Sequence, residues 1–407
     1  MKIAVVGSKG LPPRQGGIEH HCAEVYSRLA QKGHQVKLFG RSSYRDRRWS
    51  ARYQYEAVEV VSLPSIPIRG IDAFVNSGLA ATIASFQQFD VIHFHASGPA
   101  IFSWIPRLLS PATKVVVTCH GLDWQRAKWG TFSTHLLKLG EWVGVRSAHG
   151  IGVVSEDLQR YFLSRHHRPT TYIGNAPASY LPSDANFSFV RSQGLEKGRY
   201  ILFLGRLVPE KRPDLLIKAF NQLNIEGWKL VLVGGNSDTS AYTTELKALA
   251  QRGSAQSNNI LFTGELRGAQ LAEMMRGAGL FVLPSQLEGL PLALLEAMRE
   301  EVPVLVSDIP VHRQMVGADR GLWFEEGSVD ACSATLAWAL RNPEFMQQAA
   351  RRAKQYVQKN YTWDAIAASW LAFYQRQLRI PAVAKKTVTL RRMLIPFLFI
   401  AFNQTCS

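Results

Sequence analysis

The chain has 407 residues, of which 46% are hydrophobic, and a formal net charge of +16 from 47 Lys and Arg against 31 Asp and Glu. This length exceeds a single hydrophobic core, so two domains are expected, and the composition fits a soluble α/β protein. The four cysteines, Cys22, Cys119, Cys332 and Cys406, are scattered. They exclude a disulfide scaffold and point to a reducing, cytoplasmic compartment, with Cys22 and Cys119 as small buried hydrophobes.

In chain order, residues 2–7 read as a buried strand whose apolar run is too short for a secretory leader. The loop Ser8 to Gly17 follows, then a helix from about Ile18 to Lys32, closed by Gly33-His34, and a strand at Gln35–Phe39. Arg41, Arg45, Arg47, Arg48 and Arg52, interleaved with Tyr44, Trp49 and Tyr53, form a basic patch. RNA, a lipid-phosphate surface or plain solvent would each suit it, but no nucleic-acid module accompanies it, and no nucleic-acid partner is expected. Further strands are read at Asp90–His95, Lys114–His120 and Ala148–Ser155. The polar stretch Pro182 to Gly198 separates this half from a second with the same plan. That half has strands at Tyr200–Gly205, Lys229–Gly235, Ile260–Gly264, Gly279–Leu283 and Pro303–Ser307, and a helix from Asp214 to Leu223. Strands alternating with helices indicate mostly parallel sheets, and two doubly wound domains create a cleft where small molecules bind. A last helix runs from Tyr361-Thr-Trp363 to about Leu378.

Chemistry concentrates in three motifs. Glu288 and Glu296 lie in Leu283-Pro-Ser-Gln-Leu-Glu-Gly-Leu-Pro-Leu-Ala-Leu-Leu-Glu-Ala-Met298, with Pro291 expected in the first turn of a helix. One carboxylate then precedes the helix and the other lies a turn inside it, at the strand edge where open α/β sheets bind ligands. Two acids there can receive the hydroxyls of a sugar and a ribose; a helix-surface salt bridge is the plain alternative for each. Arg206 and Lys211, in Gly205-Arg-Leu-Val-Pro-Glu-Lys-Arg-Pro213, place a directional and a compact cation between strand and helix, where a diphosphate can meet them, although a solvated loop has the same spacing. Gly16-Gly17 leaves backbone N–H groups at a helix N-terminus for an anion, as a tight turn without ligand also would. The loop is no GxGxxG fingerprint and no acidic ribose reader follows it, which disfavours a nicotinamide dehydrogenase.

Over nearly all of residues 2–378 these motifs resemble the family 4 glycosyltransferases, and the first 40 residues are similar to their rhamnosyltransferase-like, cell-surface polysaccharide subgroup. The resemblance implies a GT-B fold of two Rossmann-like domains. Residues 1–182 would form an acceptor domain and 199–360 a nucleotide-sugar domain. A helix at 361–378 would cross back to the first domain, and 379–407 would be a tail. It implies a retaining enzyme that needs no metal and moves a hexosyl or deoxyhexosyl group from a nucleotide-diphosphate sugar to a glycan hydroxyl. Arg206 and Lys211 would neutralise the leaving diphosphate, Glu288 would lie near the donor sugar, and Glu296 would bind the ribose. His120 resembles the family histidine beside the sugar; a satisfied core histidine is its alternative. Gly16, Gly17, Gly264, Gly289 and Leu290 complete the donor contacts, and Glu19, Asp123 and Arg126 are acceptor candidates. Ser155-Glu156 and Gly174-Asn175 match family positions, although Ala176 stands where a glycine is usual. A sugar-nucleotide epimerase and a silent carbohydrate-binding scaffold are the rival readings.

The chain ends in Lys385-Lys386, Arg391-Arg392 and the apolar run Met393–Phe402, whose central proline and short length cannot span a bilayer. It can lie on an anionic surface or pack as an ordinary tail. With the basic first domain it suggests a lipid-linked acceptor and peripheral contact with the inner face of the cytoplasmic membrane.

Overall fold

The computed structural model describes residues 1–13, 17–45, 51–64, 71–125, 130–223, 225–235, 240–252 and 259–379. Gly16, Arg126, the Arg47, Arg48 and Trp49 part of the basic patch, and the 380–407 segment lie outside the described residues.

Two sheets form the framework. The first contains β1 (Lys2–Val6), β2 (Gln35–Arg41), β3 (Ala51–Tyr55), β4 (Val58–Leu63), β5 (Val91–His95), β6 (Lys114–Cys119), β7 (Gly150–Val153) and β8 (Thr171–Tyr172), in the order β3-β4-β2-β1-β5-β6-β7-β8. The second contains β9 (Tyr200–Leu204), β10 (Lys229–Val233), β11 (Ile260–Gly264), β12 (Leu280–Leu283), β13 (Val304–Ser307) and β14 (Leu322–Phe324), in the order β11-β10-β9-β12-β13-β14. Every pairing is parallel except β3 with β4. The central strands, such as the fully buried Leu280–Leu283, are continuous apolar runs because helices cover both faces of the sheet.

Strand order reverses between β1 and β5 in the first sheet and between β9 and β12 in the second. Ligands of such sheets bind at the carboxyl ends of the strands flanking these switch points. At the first, Gly7 adopts φ +102°, and a Cβ there would lie 2.4 Å from the His95 carbonyl oxygen, so only glycine lets the loop pass.

The structure departs from the sequence expectation in local ways. Arg52 and Tyr53, read as part of the basic patch, lie on the first strand of the β3–β4 hairpin, whose second strand had no sequence reading. Arg41 pairs with Asp72 at 3.2 Å and the Tyr53 hydroxyl donates to the Leu11 carbonyl, so part of the basic patch is structural. Pro291 is not in the first turn: it is the N-cap, with ψ 96°, and the helix is Leu292–Arg299. The polar stretch between the halves carries a short helix, Ser188–Ser192, whose Val190 is buried.

The final helix, Trp363–Arg379, packs against the first helix, Gly17–Gln31, with Arg28 donating to Asp364 at 2.9 Å. Its Trp370 is fully buried over β7, where a Cβ on Gly152 would come within 2.3 Å of the indole. The Gly152→Ala substitution is therefore expected to destabilise by about 1–3 kcal/mol through overpacking. Gly130→Ala, whose Cβ meets nothing within 4 Å, should leave the urea midpoint in place.

Candidate active site

The loops after β9 and β12 meet at the second switch point. Gly205 and Arg206 follow β9, and a 3-10 turn at Pro209–Lys211 folds the lysine back beneath Gly205, whose missing side chain gives it room (a Cβ would lie 3.0 Å from Lys211 Cδ). After β12 come the buried Ser285 and then Glu288. Lys211 Nζ donates to Glu288 Oε1 at 2.6 Å, and the Ser285 hydroxyl donates to the same oxygen at 2.8 Å. Burial alone would push the Glu288 carboxyl up, but the Lys211 ammonium and these hydrogen bonds outweigh it and hold it below the usual carboxylate range. Behind the pair sits His312, fully buried, with Nδ1 2.9 Å from the Ser307 carbonyl. Burial lowers its pKa to about 4 despite the nearby Glu288, so the pair is backed by a neutral ring.

Glu296 lies one turn into the Leu292–Arg299 helix and is 9% exposed. Its Oε2 accepts the hydroxyl of Tyr180, from the segment joining the lobes, at 2.7 Å. Burial pushes this carboxyl up to about 7, only partly opposed by Tyr180, the Ala178 N–H and Arg299.

The first lobe closes on these loops through glycines. A Cβ on Gly289 would fall 2.2 Å from the His120 carbonyl oxygen, and one on Gly17 would lie 3.3 Å from Leu292. Between the lobes lies a cavity of about 210 Å³, lined on one side by Arg206, Glu210, Lys211, Glu288 and Gly289 and on the other by Gly121, Leu122, Gln125, Asp157 and Tyr161. The Tyr161 hydroxyl donates to Glu141 at 2.7 Å, and Trp124 Nε1 donates to the same carboxylate at 3.0 Å, which stiffens that wall. The volume is below the roughly 300–1,000 Å³ of pockets that enclose a whole drug-sized ligand. It can enclose one end of a larger ligand.

The structure brings Arg206, Lys211, Glu288 and Gly289 together around this cavity; His120 follows β6 directly and does not line it, although the next residue, Gly121, does. Leu290 is part-buried between the lobes, 3.7 Å from a Cβ built on Gly174, and Asp123 stands in a 3-10 turn beside Leu122. Glu296, Gly17, Leu290 and Asp123 do not line the cavity, and two further candidates sit elsewhere. Gly264, at the end of β11, is exposed and does not line the cavity. Glu19 is buried and accepts the Lys9 backbone N–H at 3.1 Å, so it clamps the first loop. Sequence reasoning assigned no role to Glu210, quoted within its motif, whose two carboxylate oxygens are buried without a hydrogen-bond partner on the cavity wall. It also missed His312 and Tyr180, which carry no local signal because each reaches the site only through the fold. Among the described residues no group of three or more His, Cys, Asp and Glu is arranged to hold a metal ion.

Two family models match the chain: "Glycosyltransferase Family 4" over residues 15–176 and "Glycosyl transferases group 1" over residues 186–356. An uncharacterized glycosyltransferase of Methanocaldococcus jannaschii is 23% identical, covering 92% of this chain and 98% of its own. The GDP-mannose-dependent alpha-(1-6)-phosphatidylinositol monomannoside mannosyltransferase of Mycobacterium tuberculosis is 24% identical over the same shares. The crystal structure of Anabaena HepE in complex with UDP and glucose superposes with a TM-score of 0.75 at 18% identity, covering 92% of this chain and 100% of that one. These matches support the GT-B fold and the glycosyltransferase class, and they do not reach the rhamnosyltransferase-like subgroup.

The buried Glu296 carboxyl has a testable consequence. Its folded-state pKa of about 7 lies above the ordinary 4.5, so between these values the unfolded chain ionises first and stability falls as pH rises. Glu296→Gln is expected to be more stable than the parent at pH 8, by on the order of 1–3 kcal/mol, with the gap closing near pH 4.5. Urea unfolding at the two pH values measures it.

Proposed function

We propose that this nucleotide-sugar-dependent glycosyltransferase of the GT-B class transfers a hexosyl or deoxyhexosyl group, with retention, to a hydroxyl of a lipid-linked glycan in cell-surface polysaccharide assembly. The observation that carries the reading is the Lys211–Glu288 pair beside Arg206, placed at the β9/β12 switch point and facing the first lobe across the cavity.

In this reading the second lobe takes the donor and the first the acceptor. The diphosphate meets Arg206 and Lys211, with the Gly16-Gly17 backbone and the N-terminus of the Leu292–Arg299 helix adding N–H dipoles. Glu288, oriented by Lys211 and Ser285, accepts sugar hydroxyls. Glu296 takes the ribose in exchange for the Tyr180 hydroxyl. His120 stands beside the sugar. As the bond from the anomeric carbon to the phosphate oxygen breaks, the acceptor oxygen bonds to that carbon from the same face. Its proton passes to the departing phosphate oxygen. Glu288 is not used as a covalent nucleophile; it orients the sugar and balances Lys211.

The lipid-linked acceptor is supported by the outer face of the first lobe. The Ile71–Ser85 helix turns Phe74, Val75 and Leu79 to solvent and buries Asn76, Ser77, Ala80 and Ala84, the reverse of an ordinary surface helix. The adjoining helices expose Trp104, Leu108, Phe132 and Trp142, with the Arg146 guanidinium 4.0 Å over the Trp142 ring. Exposed apolar and aromatic side chains beside cations, on a chain of charge +16, suit an anionic lipid interface. Among the described residues no helix is long and apolar enough to cross a membrane, so the contact would be peripheral. The named acceptor of the mycobacterial relative is itself a phosphatidylinositol glycolipid.

Incubation of the chain with individual nucleotide sugars and a polyprenyl-pyrophosphate glycan, read by mass spectrometry, should give one hexose or deoxyhexose addition. Absence of both transfer and donor hydrolysis across the set would refute the enzyme reading. Lys211→Ala and Glu288→Gln should each lower turnover by about 100-fold or more. Cosedimentation with phosphatidylglycerol vesicles should be lost in about 0.5 M salt and weakened by Phe74→Ser, Trp104→Ser or removal of residues 385–407. Fractionation unaffected by any of these would defeat the membrane proposal.

A further inference from the structure

Beneath His120 runs a chain of buried side chains that the reaction as described does not use. His95 Nδ1 lies 2.9 Å from His120 Nε2, and His95 Nε2 lies 2.7 Å from the Tyr26 hydroxyl. That hydroxyl is also 2.7 Å from His93 Nδ1, which is 2.7 Å from the Tyr374 hydroxyl, and His93 Nε2 is 2.5 Å from Thr118 Oγ1. Tyr26, His93, His95, Thr118 and Tyr374 are all fully buried. The chain therefore leads from the cleft edge, through β5, to the final helix.

Proton counting constrains it. The Tyr26 hydroxyl has one proton and two imidazole neighbours at 2.7 Å, so it donates to one and accepts from the other. Two orders satisfy the links from His93 Nδ1 through Tyr26 and His95 to His120 with neutral rings, and in each the single N–H or lone pair of His93 Nδ1 serves Tyr26 rather than Tyr374. In one, His93 Nδ1–H donates to Tyr26, Tyr26 to His95 Nε2, and His95 Nδ1–H to His120 Nε2. In the other each bond is reversed, and His120 Nε2–H donates inward. In both orders His120 Nε2 is committed to His95.

We propose that His95 is the positioning residue for His120, holding its ring through the Nε2 contact, with Tyr26 and His93 fixing His95 in turn. The sugar-facing role of His120 is that of the function proposed above, and this inference rests on it. The groups facing His95 are His21 from the first helix, His93 from its own strand, His120 from the end of β6, and Tyr26. No carboxylate is among them. Burial and the neighbouring imidazoles hold both His93 and His95 well below the ordinary histidine value, so both are neutral at pH 7. Neutrality suits a site where the anomeric carbon gains positive charge during transfer, since an imidazolium beside it would oppose that charge.

The test uses the full chain labelled with ¹⁵N-histidine, with the His120 signals assigned from a His120→Gln sample. The wild type should show one set of His120 ring ¹⁵N shifts, and His95→Leu should change them. Donor turnover in His95→Leu should fall about tenfold in kcat, the value of one hydrogen bond, with a smaller change in donor KM. His95→Gln, which keeps a donor and an acceptor, should recover part of the loss. If His95→Leu does not fold, Tyr26→Phe removes only the hydroxyl and should move the His120 shifts in the same direction. His120 shifts and kcat unchanged in the folded variant would overturn the inference. A wild-type chain without transfer or donor hydrolysis would instead remove the function reading, while the ¹⁵N shifts would still decide the His95–His120 contact.

Discussion

The ion pair between Lys211 and Glu288 is the contact on which the chemistry proposed for the second lobe depends. Each side chain is largely withdrawn from water, with 15% and 12% of its surface exposed. Either charge alone would be costly there, and removing one partner of such a pair commonly costs several kcal/mol because the other is left uncompensated. Pairing ties the loop after β9 to the loop after β12 across the switch point. It leaves a cation and an anion at fixed positions on one wall of the cavity. In the function proposed above, a diphosphate would compete for a lysine already held in place, with little side-chain entropy left to lose on binding.

The second constraint is the absence of side chains where the lobes touch. Gly289 sits against the His120 carbonyl and Gly17 against Leu292, with no room for larger residues at Gly289. These close approaches bring Glu288 and the first-lobe residues Gly121 and Leu122 to one small cavity. The Trp363–Arg379 helix carries the chain's last described segment back onto the first lobe. There Trp370 and Tyr374 cover the buried histidines and so join the inter-lobe connection to the floor of the site.

Much of this was legible along the chain because it is written in local patterns. Buried parallel strands are short apolar runs with glycine at their ends, and cations and acids just beyond those runs fall at the ligand edge for topological reasons. Arg206, Lys211 and Glu288 could be singled out on that basis. The β3–β4 hairpin was not legible, because Arg41, Arg52 and Tyr53 look like a polar patch until Asp72 and Leu11 are brought alongside. Pro291 served as a cap instead of a first-turn residue because its ψ of 96° is not helical, and sequence gives only its fixed φ.

The sequence by itself determined the alternation of strands and helices, the two-lobed plan and the location of the charged motifs, since these follow from periodicity and from residue types within a few positions of one another. Tertiary structure decided the ionisation states and partners. Glu288 and Glu296 occupy similar stretches of one motif, yet a lysine 77 residues away holds one carboxyl down and burial beside Tyr180 pushes the other up to about 7. The difference arises from desolvation and from charges that only folding brings together, and neither quantity is encoded at the residue itself.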